Sequence, residues 1–498
     1  MAQLAVNHPD KTGLTYWMDR VLEQHGKLEG DWSPDSVHDL RVALRRCILI
    51  ADVMRNLDPG ASWKSMRKAG RRLFRQLGSL RDAQVLTEWV QKLGSPGDAA
   101  AGALLDELKA RHERNRVAAQ KSAKGFDRKQ WRAWSRELAS RYRHMAADKP
   151  ACESVLLEHW EGVRDSHRRA QKSRSSVAYH RARVELKKFR YAAQNFLPAM
   201  YAQWAPDLKY LQDLLGEVHD LDVLAQMIKK HSRLFDETAR AAWTKKLREE
   251  RDSRLQLYRA KMAQKASLLW AWREGLPRDR ELRSTGLARL AEWAFFVTPN
   301  FRRVPRIAKL ALQLHDGFVN CGLIAYDLNI EQRFLLQAAA LLHEVGRSRK
   351  NKAHHKESYR MIRRIKPPAG WTKKDLELVA LIARFHRRAL PNLDHKALKN
   401  FQLPLRQSLL LLAGLLRMAN AFGAKPYRAV RRVEVELCAG VVVIRAEGFT
   451  EADPLTPKLS EAKRLLEFAS HRPVSILTPK AQIGLPRLVP AVAKSDAA

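Results

Sequence analysis

Apolar residues recur at helical spacing from Leu14 to about Ser267, with few prolines and no alternating strand pattern. Leu14–Gln24 reads as a helix, with Thr15 as a possible cap and Tyr16, Trp17, Val21 and Leu22 on its apolar side. The turn Asp31-Trp32-Ser33-Pro34-Asp35-Ser36 carries a capping residue and launches a second helix. Leu40, Ala43, Leu44 and Cys47 fall on one side of that helix. His38, Arg41 and Arg45 fall opposite, because positions i, i+3 and i+7 project within roughly 60° of one another, and Arg46 sits at the shoulder. Pro59-Gly60 closes this unit. Trp63–Leu77 follows as a cationic helix bearing Lys64, Arg67, Lys68, Arg71, Arg72 and Arg75, with Met66, Leu73 and Leu77 inward. Arg111–Arg143 is dense in Arg and Lys, with Trp131 and Trp134 interleaved. Such a mixture can stack bases, although tryptophans at helical spacing ordinarily pack between helices.

The charged Gly/Pro break Glu274–Arg280 predicts a first domain boundary. Helices resume at Pro305–Gly317, Ile330–Val345, His355–Ile365, Lys373–Phe385 and Gln407–Phe422. The texture changes from about Arg428. Val433–Leu437 alternates, Gly440–Arg445 follows after a short turn, and a hairpin is expected. Glu461–Phe468 predicts a helix, Val474–Leu477 a last strand, and Pro490–Ala498 a disordered end.

The chain uses its second helix twice. Val37–Cys47, VHDLRVALRRC, aligns with Tyr179–Phe189, YHRARVELKKF, placing His38 on His180, Arg41 on Arg183, Arg45 on Lys187 and Arg46 on Lys188. Each copy is followed by a second matching piece, Leu77–Leu86 and then Leu215–Leu224. In that piece Arg81 of the first copy becomes His219 in the second. A single basic stripe is the ordinary solvated face of an amphipathic helix. Solvation needs no repeated pattern, whereas a two-sided anion site does. Two repeats of long helices imply two antiparallel bundles whose stripes meet in a shared groove.

Charge sharpens this reading. The 498 residues carry 91 Lys+Arg against 53 Asp+Glu, a formal net charge of +38. Such a surface attracts polyanions by steering and counterion release, leaving nucleic acid, an anionic membrane or inorganic polyphosphate as partners. No recognition-helix or single-strand-binding motif supports nucleic acid, and no stretch reaches the ~18–20 apolar residues of a membrane span. The four cysteines, Cys47, Cys152, Cys321 and Cys438, are scattered and read as reduced. A soluble, cytoplasmic protein is expected.

His-x-x-Arg-x-x-x-Arg-Arg, Leu-Gly-x-x-Arg-Asp, and a second His-x-x-Arg-x-x-x-Lys-Lys-x-Arg-Tyr together resemble the CHAD domain (conserved histidine α-helical domain) over about Leu14–Trp270. The resemblance implies two pseudo-symmetric antiparallel four-helix bundles around a basic pore that binds inorganic polyphosphate, with repeats at about 10–140 and 150–270 of a domain spanning 10–272. By motif position, the implied contacts are His38, Arg41, Arg45 and Arg46 from the first repeat, and Arg67, Arg71 and Arg81 are further candidates beside them. The second repeat supplies His180, Arg183, Lys187, Lys188 and Arg190. Chemically this is coherent: polyphosphate offers charge on every unit and no apolar handle, so its grip must come from Arg and Lys. His219, replacing an Arg, makes a weaker corner near neutral pH.

A second constellation follows. Ala338–Gly346 ends an apolar helix with His343-Glu344, and His354-His355, Phe385–Pro391 and Leu415–Asn420 come after it. This order resembles the HD-type phosphohydrolase fold, most closely the C-terminal half of the exopolyphosphatase/guanosine-pentaphosphate phosphohydrolase (Ppx/GppA) family. The resemblance implies an HD-like all-α domain over 285–427 and a small α/β module over 428–485, so the chain as a whole is expected to be mainly α. A working HD site needs a His, a His-Asp pair and a late Asp. Here Arg303, His343-Glu344 and Asn420 stand in those places, with His386 nearby, and the site is read as degenerate, without catalytic residues, metal or cofactor. The alternative is a divalent metal at His343, Glu344 and His386. His355, Lys356, Arg384, Arg387 and Arg388 form a candidate second phosphate patch. No phosphate-cradling glycine loop stands in the chain, and the resemblance does not reach that family's actin-like catalytic domain.

The resulting expectation is a non-catalytic polyphosphate binder, cytoplasmic and associated with polyphosphate granules. The rival readings are a metal-dependent phosphohydrolase acting on polyphosphate or a nucleotide, and a nucleic-acid-binding protein.

Overall fold

The computed structural model describes residues 13–30, 32–231, 235–263, 267–325, 329–388, 390–424, 426–450 and 456–479. The expectation for Pro490–Ala498 lies outside them. The fold is mainly α and divides into two compact units, residues 1–297 with 367–371, and residues 298–366 with 372–498.

The first unit opens with α1 (Leu14–Lys27), α2 (Pro34–Leu57), α3 (Trp63–Leu93), α4 (Ala99–Lys124) and α5 (Arg128–Ala147). It continues with α6 (Lys149–Ser173), α7 (Ser176–Phe196), α8 (Pro198–Lys230), α9 (Glu237–Met262) and α10 (Leu268–Glu274). Local signals fix the starts of the two basic helices. The Ser33 hydroxyl caps α2 by accepting from Ser36 N at 3.3 Å, with Pro34 at the first helical position. Ser175 caps α7 in the same way, accepting from Ala178 N at 3.2 Å. For α1, by contrast, the cap is Gly13 and Thr15 lies inside the helix.

The repeat is visible in the packing. α1–α2–α3–α4 neighbour one another in sequence order, and α6–α7–α8–α9 do the same. The motif around Leu77–Leu86 does not begin a new helix. It continues α3, whose buried Leu73, Leu77, Leu80, Ala83 and Leu86 keep helical spacing throughout. At 31 and 33 residues, α3 and α8 are about 45–50 Å long, longer than a single packed layer. Each therefore serves two cores. One core joins α1, α2, α5, α6 and α7 to the N-terminal halves of α3 and α8. The other joins α4 and α9 to their C-terminal halves. Both cores thus mix residues from both repeats. Trp131 is fully buried in the first, its indole N–H donating to Met18 O at 3.2 Å, and packs rather than stacks bases.

The Gly/Pro break at Glu274–Arg280 separates two helices without ending the unit. Beyond it α11 (Asp279–Val297) packs along α6 as α5 packs along α1. Its Gly286 lies so close to Ala369 and Trp371 that a Cβ there would stand 2.4 Å from Ala369 O, which ties residues 367–371 to the same unit. The HD-like domain expected from residue 285 thus has its first residues in α11, a helix of the first unit.

The second unit contains α12 (Val304–Asn320), α13 (Asn329–Leu342), α14 (His354–Ile362), α15 (Lys373–Arg384) and α16 (Leu403–Phe422), followed by β1 (Arg432–Cys438), β2 (Val441–Glu447), α17 (Pro457–Ser470) and β3 (Val474–Leu477). β1 and β2 form the expected hairpin, with Val435 opposite Ile444, and β3 adds in parallel beside β2. α16 is buried along most of its length and packs against α12 and α17. Among the described residues no helix is long and apolar enough to cross a membrane.

Candidate functional site: two basic stripes on one groove

The two basic stripes meet. A groove of about 540 Å³ is lined by Arg41 and Arg45 of α2, by Arg75, Gly78, Ser79 and Asp82 of α3, by Arg183, Lys187 and Lys188 of α7, and by His219 of α8. α2 touches α7 and α3 touches α8, so equivalent helices of the two repeats face each other across it.

Three of the cations have their own support. Arg41 donates from Nη1 to Leu77 O at 2.9 Å and lies 5.3 Å from the Phe74 ring centroid. Arg45 donates from Nη1 to the Tyr191 hydroxyl at 2.7 Å, between the Phe74 and Tyr191 rings. Lys188 pairs with Glu185 at 2.9 Å. Arg183 keeps a buried Nε with no hydrogen-bond partner.

Crowding shapes the protonation of the groove. Burial, then Arg183 and Arg45, pushes the Lys187 ammonium down to about 6, against the opposing pull of Asp220. Burial pushes Arg41 down to about 10, which leaves it charged at neutral pH. Burial also raises the Asp220 carboxyl to about 6; Arg183 opposes this and Asp82 reinforces it. Burial and Arg183 push His219 down to about 4, so its ring is neutral at pH 7. His219 Nδ1 stands 3.2 Å from His180 Nδ1, and burial lowers His180 as well. His38 is lowered by burial and then by Arg81.

Not every expected contact opens on the groove. Arg46 is 5% exposed, wedged under the wall with Trp17 at 4.8 Å and Tyr191 at 5.0 Å, while its counterpart Lys188 reaches the groove. Arg67 is held in an ion pair with Asp52, a groove residue. Arg71 is exposed on α3, Arg81 reaches Gln84 and Glu88, and Arg190 donates to the Tyr201 hydroxyl at 3.4 Å. Sequence reasoning missed Phe74 and Tyr191, which brace the arginines. It also missed the matched acids Asp82 and Asp220, although both stood in the repeated motif.

The second unit gathers the other constellation around a smaller pocket of about 280 Å³ lined by Arg303, Glu344, His386, Arg387, Arg388 and Asn420, among others. His343 lies fully buried behind it. The His343–Gly346 turn is clamped on α14: Gly346 N donates to Ser358 Oγ at 2.9 Å, and Ser358 Oγ donates to His343 O at 2.8 Å. A Cβ at Gly346 would stand 2.2 Å from His354 O, so only glycine fits. Burial alone would raise the Glu344 carboxyl, but His343, Arg347 and Arg303 hold it below its usual range. Of the candidate phosphate patch, Arg387 and Arg388 line the pocket. His355 is buried, Lys356 is exposed, and Arg384 stacks over Tyr359 at 5.1 Å.

These residues do not fit a metal centre. Arg303 and Asn420 bring a guanidinium and a neutral amide to the pocket where the HD resemblance would expect a His and an Asp, and Arg387 Nη1 lies 3.3 Å from His354 Nδ1. Among the described residues no three His, Cys, Asp or Glu side chains are placed to hold a metal ion.

Comparison with known families agrees with both halves. The CHAD domain matches residues 16–229, and domain III of the Ppx/GppA phosphatases matches residues 283–440. The first match stops within α8, and the second begins within α11, a helix of the first unit. No curated protein matches the chain. The chain therefore joins a CHAD domain to a Ppx/GppA domain III.

Proposed function

We propose that this protein binds inorganic polyphosphate in the groove between the two CHAD repeats and does so without hydrolysing it. Both domain families point to polyphosphate-related function. The observation that carries the binding role is the meeting of Arg41 and Arg45 with Arg183, Lys187 and Lys188 around one groove. A linear polyanion lying there would be held from both sides, with guanidinium groups offering bidentate hydrogen bonds to phosphate oxygens. Asp82 and Asp220 offset part of the groove's positive charge by Coulomb attraction to Arg41 and Arg183. Binding would also return a proton to Lys187, because a phosphate beside its ammonium favours the charged form. The misfit of the second unit's pocket to a metal supports a role without catalysis.

The test is direct binding of long-chain polyphosphate at about 0.15 M salt, where general charge attraction is screened beyond about 8 Å. Affinity well above that of a generic basic protein of equal charge is expected. Equal affinity would refute the reading, and so would competition by duplex DNA at the same charge concentration.

A further inference from the structure

We propose that the pocket of the second unit is a separate site for a compact phosphate-type anion, in which guanidinium groups occupy the space a metal centre would need. The pocket is about half the size of the groove, about 280 Å³ against 540 Å³. It suits one or two phosphoryl groups rather than a long run of them.

Its charge points to an anion. Arg303, Arg347, Arg387, Arg388, Arg417 and Lys458 line it against only two carboxylates, Glu344 and Glu461. Those carboxylates are already engaged: Arg347 holds Glu344 at 3.0 Å, and Arg417 stands 3.8 Å from Glu461. Surplus donors remain. Arg417 is 3% exposed, yet its Nη1 has no hydrogen-bond partner, and Arg303 Nε and Arg347 Nε are likewise buried and unpartnered. A buried charged donor left unpaired is costly. All three side chains line the pocket, and an anion with several oxygens is the ligand that several guanidinium groups can meet at once.

The imidazoles at the pocket agree with this. His354 Nδ1 lies 3.1 Å from Asn351 O, and His386 Nδ1 lies 2.6 Å from Ala383 O, so each ring donates to backbone through Nδ1. Their Nε2 atoms then face each other at 3.3 Å as two acceptors. Arg387, whose Nη1 lies 3.5 Å from the acceptor His354 Nε2, joins this pair to the guanidinium lining.

The experiment uses the full chain carrying Arg41→Glu and Arg183→Glu, which disables the groove and isolates the pocket. Calorimetric titration with pyrophosphate is expected to give one site per chain. Adding Arg303→Gln or Arg387→Gln should weaken it by at least about tenfold each, the effect of losing one charge-assisted hydrogen bond, and Arg387→Lys should restore part of it. A rise in the melting temperature of the second unit with pyrophosphate, read in the groove-disabled chain itself, keeps the test valid where a pocket variant fails to fold. Long-chain polyphosphate binding equally well in this chain would assign the site to chain ends, and orthophosphate or pyrophosphate alone would assign it to the free anion. No binding and no melting shift would overturn the proposal, as would stoichiometric Mn, Zn or Fe lost on His354→Ala. None of these readings depends on whether the groove itself binds polyphosphate.

Discussion

Arg45 of the first repeat donates a 2.7 Å hydrogen bond to the hydroxyl of Tyr191 in the second. The bond joins the two copies across the floor of the groove and fixes where one of its cations points. Tyr191→Phe removes the acceptor and keeps the ring on which Arg45 and Arg46 rest. A stability loss of about 1 kcal/mol is expected, together with a several-fold weaker grip on polyphosphate. Thermal melting and binding of the same variant check both.

The protonation of the groove sets a pH dependence. Lys187 is pushed down to about 6 and Asp220 up to about 6. The other groups that act on them are Arg41 and Arg45 on α2, Asp82 on α3, His180 and Arg183 on α7, and Glu217 and His219 on α8. Below pH 6 Lys187 is already charged and Asp220 is neutral, so the groove is most cationic there. Above pH 6 binding must draw a proton onto Lys187, and affinity falls as pH rises. Calorimetry in two buffers of different ionisation enthalpy should show proton uptake at pH 7.5 that disappears in Lys187→Met.

His219 replaces the arginine found at the equivalent position of the first repeat, and at about 4 it is uncharged at pH 7. His219→Arg supplies the missing cation. Polyphosphate affinity at pH 7.5 should rise, with the slope of log K against log salt steeper by about 0.7–0.9. An unchanged slope would place position 219 outside the ligand's reach.

Among the described glycines of the second unit, Gly346 is where an added Cβ would stand nearest to neighbouring backbone. Gly346→Ala would place a methyl 2.2 Å from His354 O and 2.5 Å from Ser358 N, contacts that backbone must move to relieve. A loss of roughly 1–3 kcal/mol or more is expected, confined to the unfolding of the second unit while groove binding persists.

Much of this architecture was legible in the sequence because it repeats. The stripe of His38, Arg41 and Arg45 could be read once as solvated surface, but its second appearance at His180, Arg183 and Lys187 pointed to a shared ligand. The shoulder residue was harder. Arg46 and Lys188 are equivalent by alignment, yet Trp17 captures Arg46 under the wall while Lys188 stays on the groove. A helical projection cannot say which aromatic lies across the interface. Nor could it show that Asp82 and Asp220 face the arginines, since acids next to basic residues usually face water. The reach of α11 was hidden for a similar reason. The Glu274–Arg280 break looks like a linker, and only the packing of α11 along α6 shows that the first unit continues. The guanidinium-lined pocket was half visible, because the HD resemblance already set Arg303 and Asn420 where it would expect metal ligands. Arg347 and Lys458 enter it from outside the motif stretches, and Arg417, inside Leu415–Asn420, reads there as one more residue of an apolar helix.

The most direct test compares the native chain with the Arg41→Glu, Arg183→Glu double variant for binding of long-chain polyphosphate at about 0.15 M salt. Orthophosphate release is followed in the same samples, with and without Mn and Mg. Tight binding by the native chain, its loss in the variant with the helical circular-dichroism signal intact, and no phosphate release under any condition are expected. Binding that survives the double charge reversal would contradict the groove assignment, and metal-dependent release would contradict a role without catalysis.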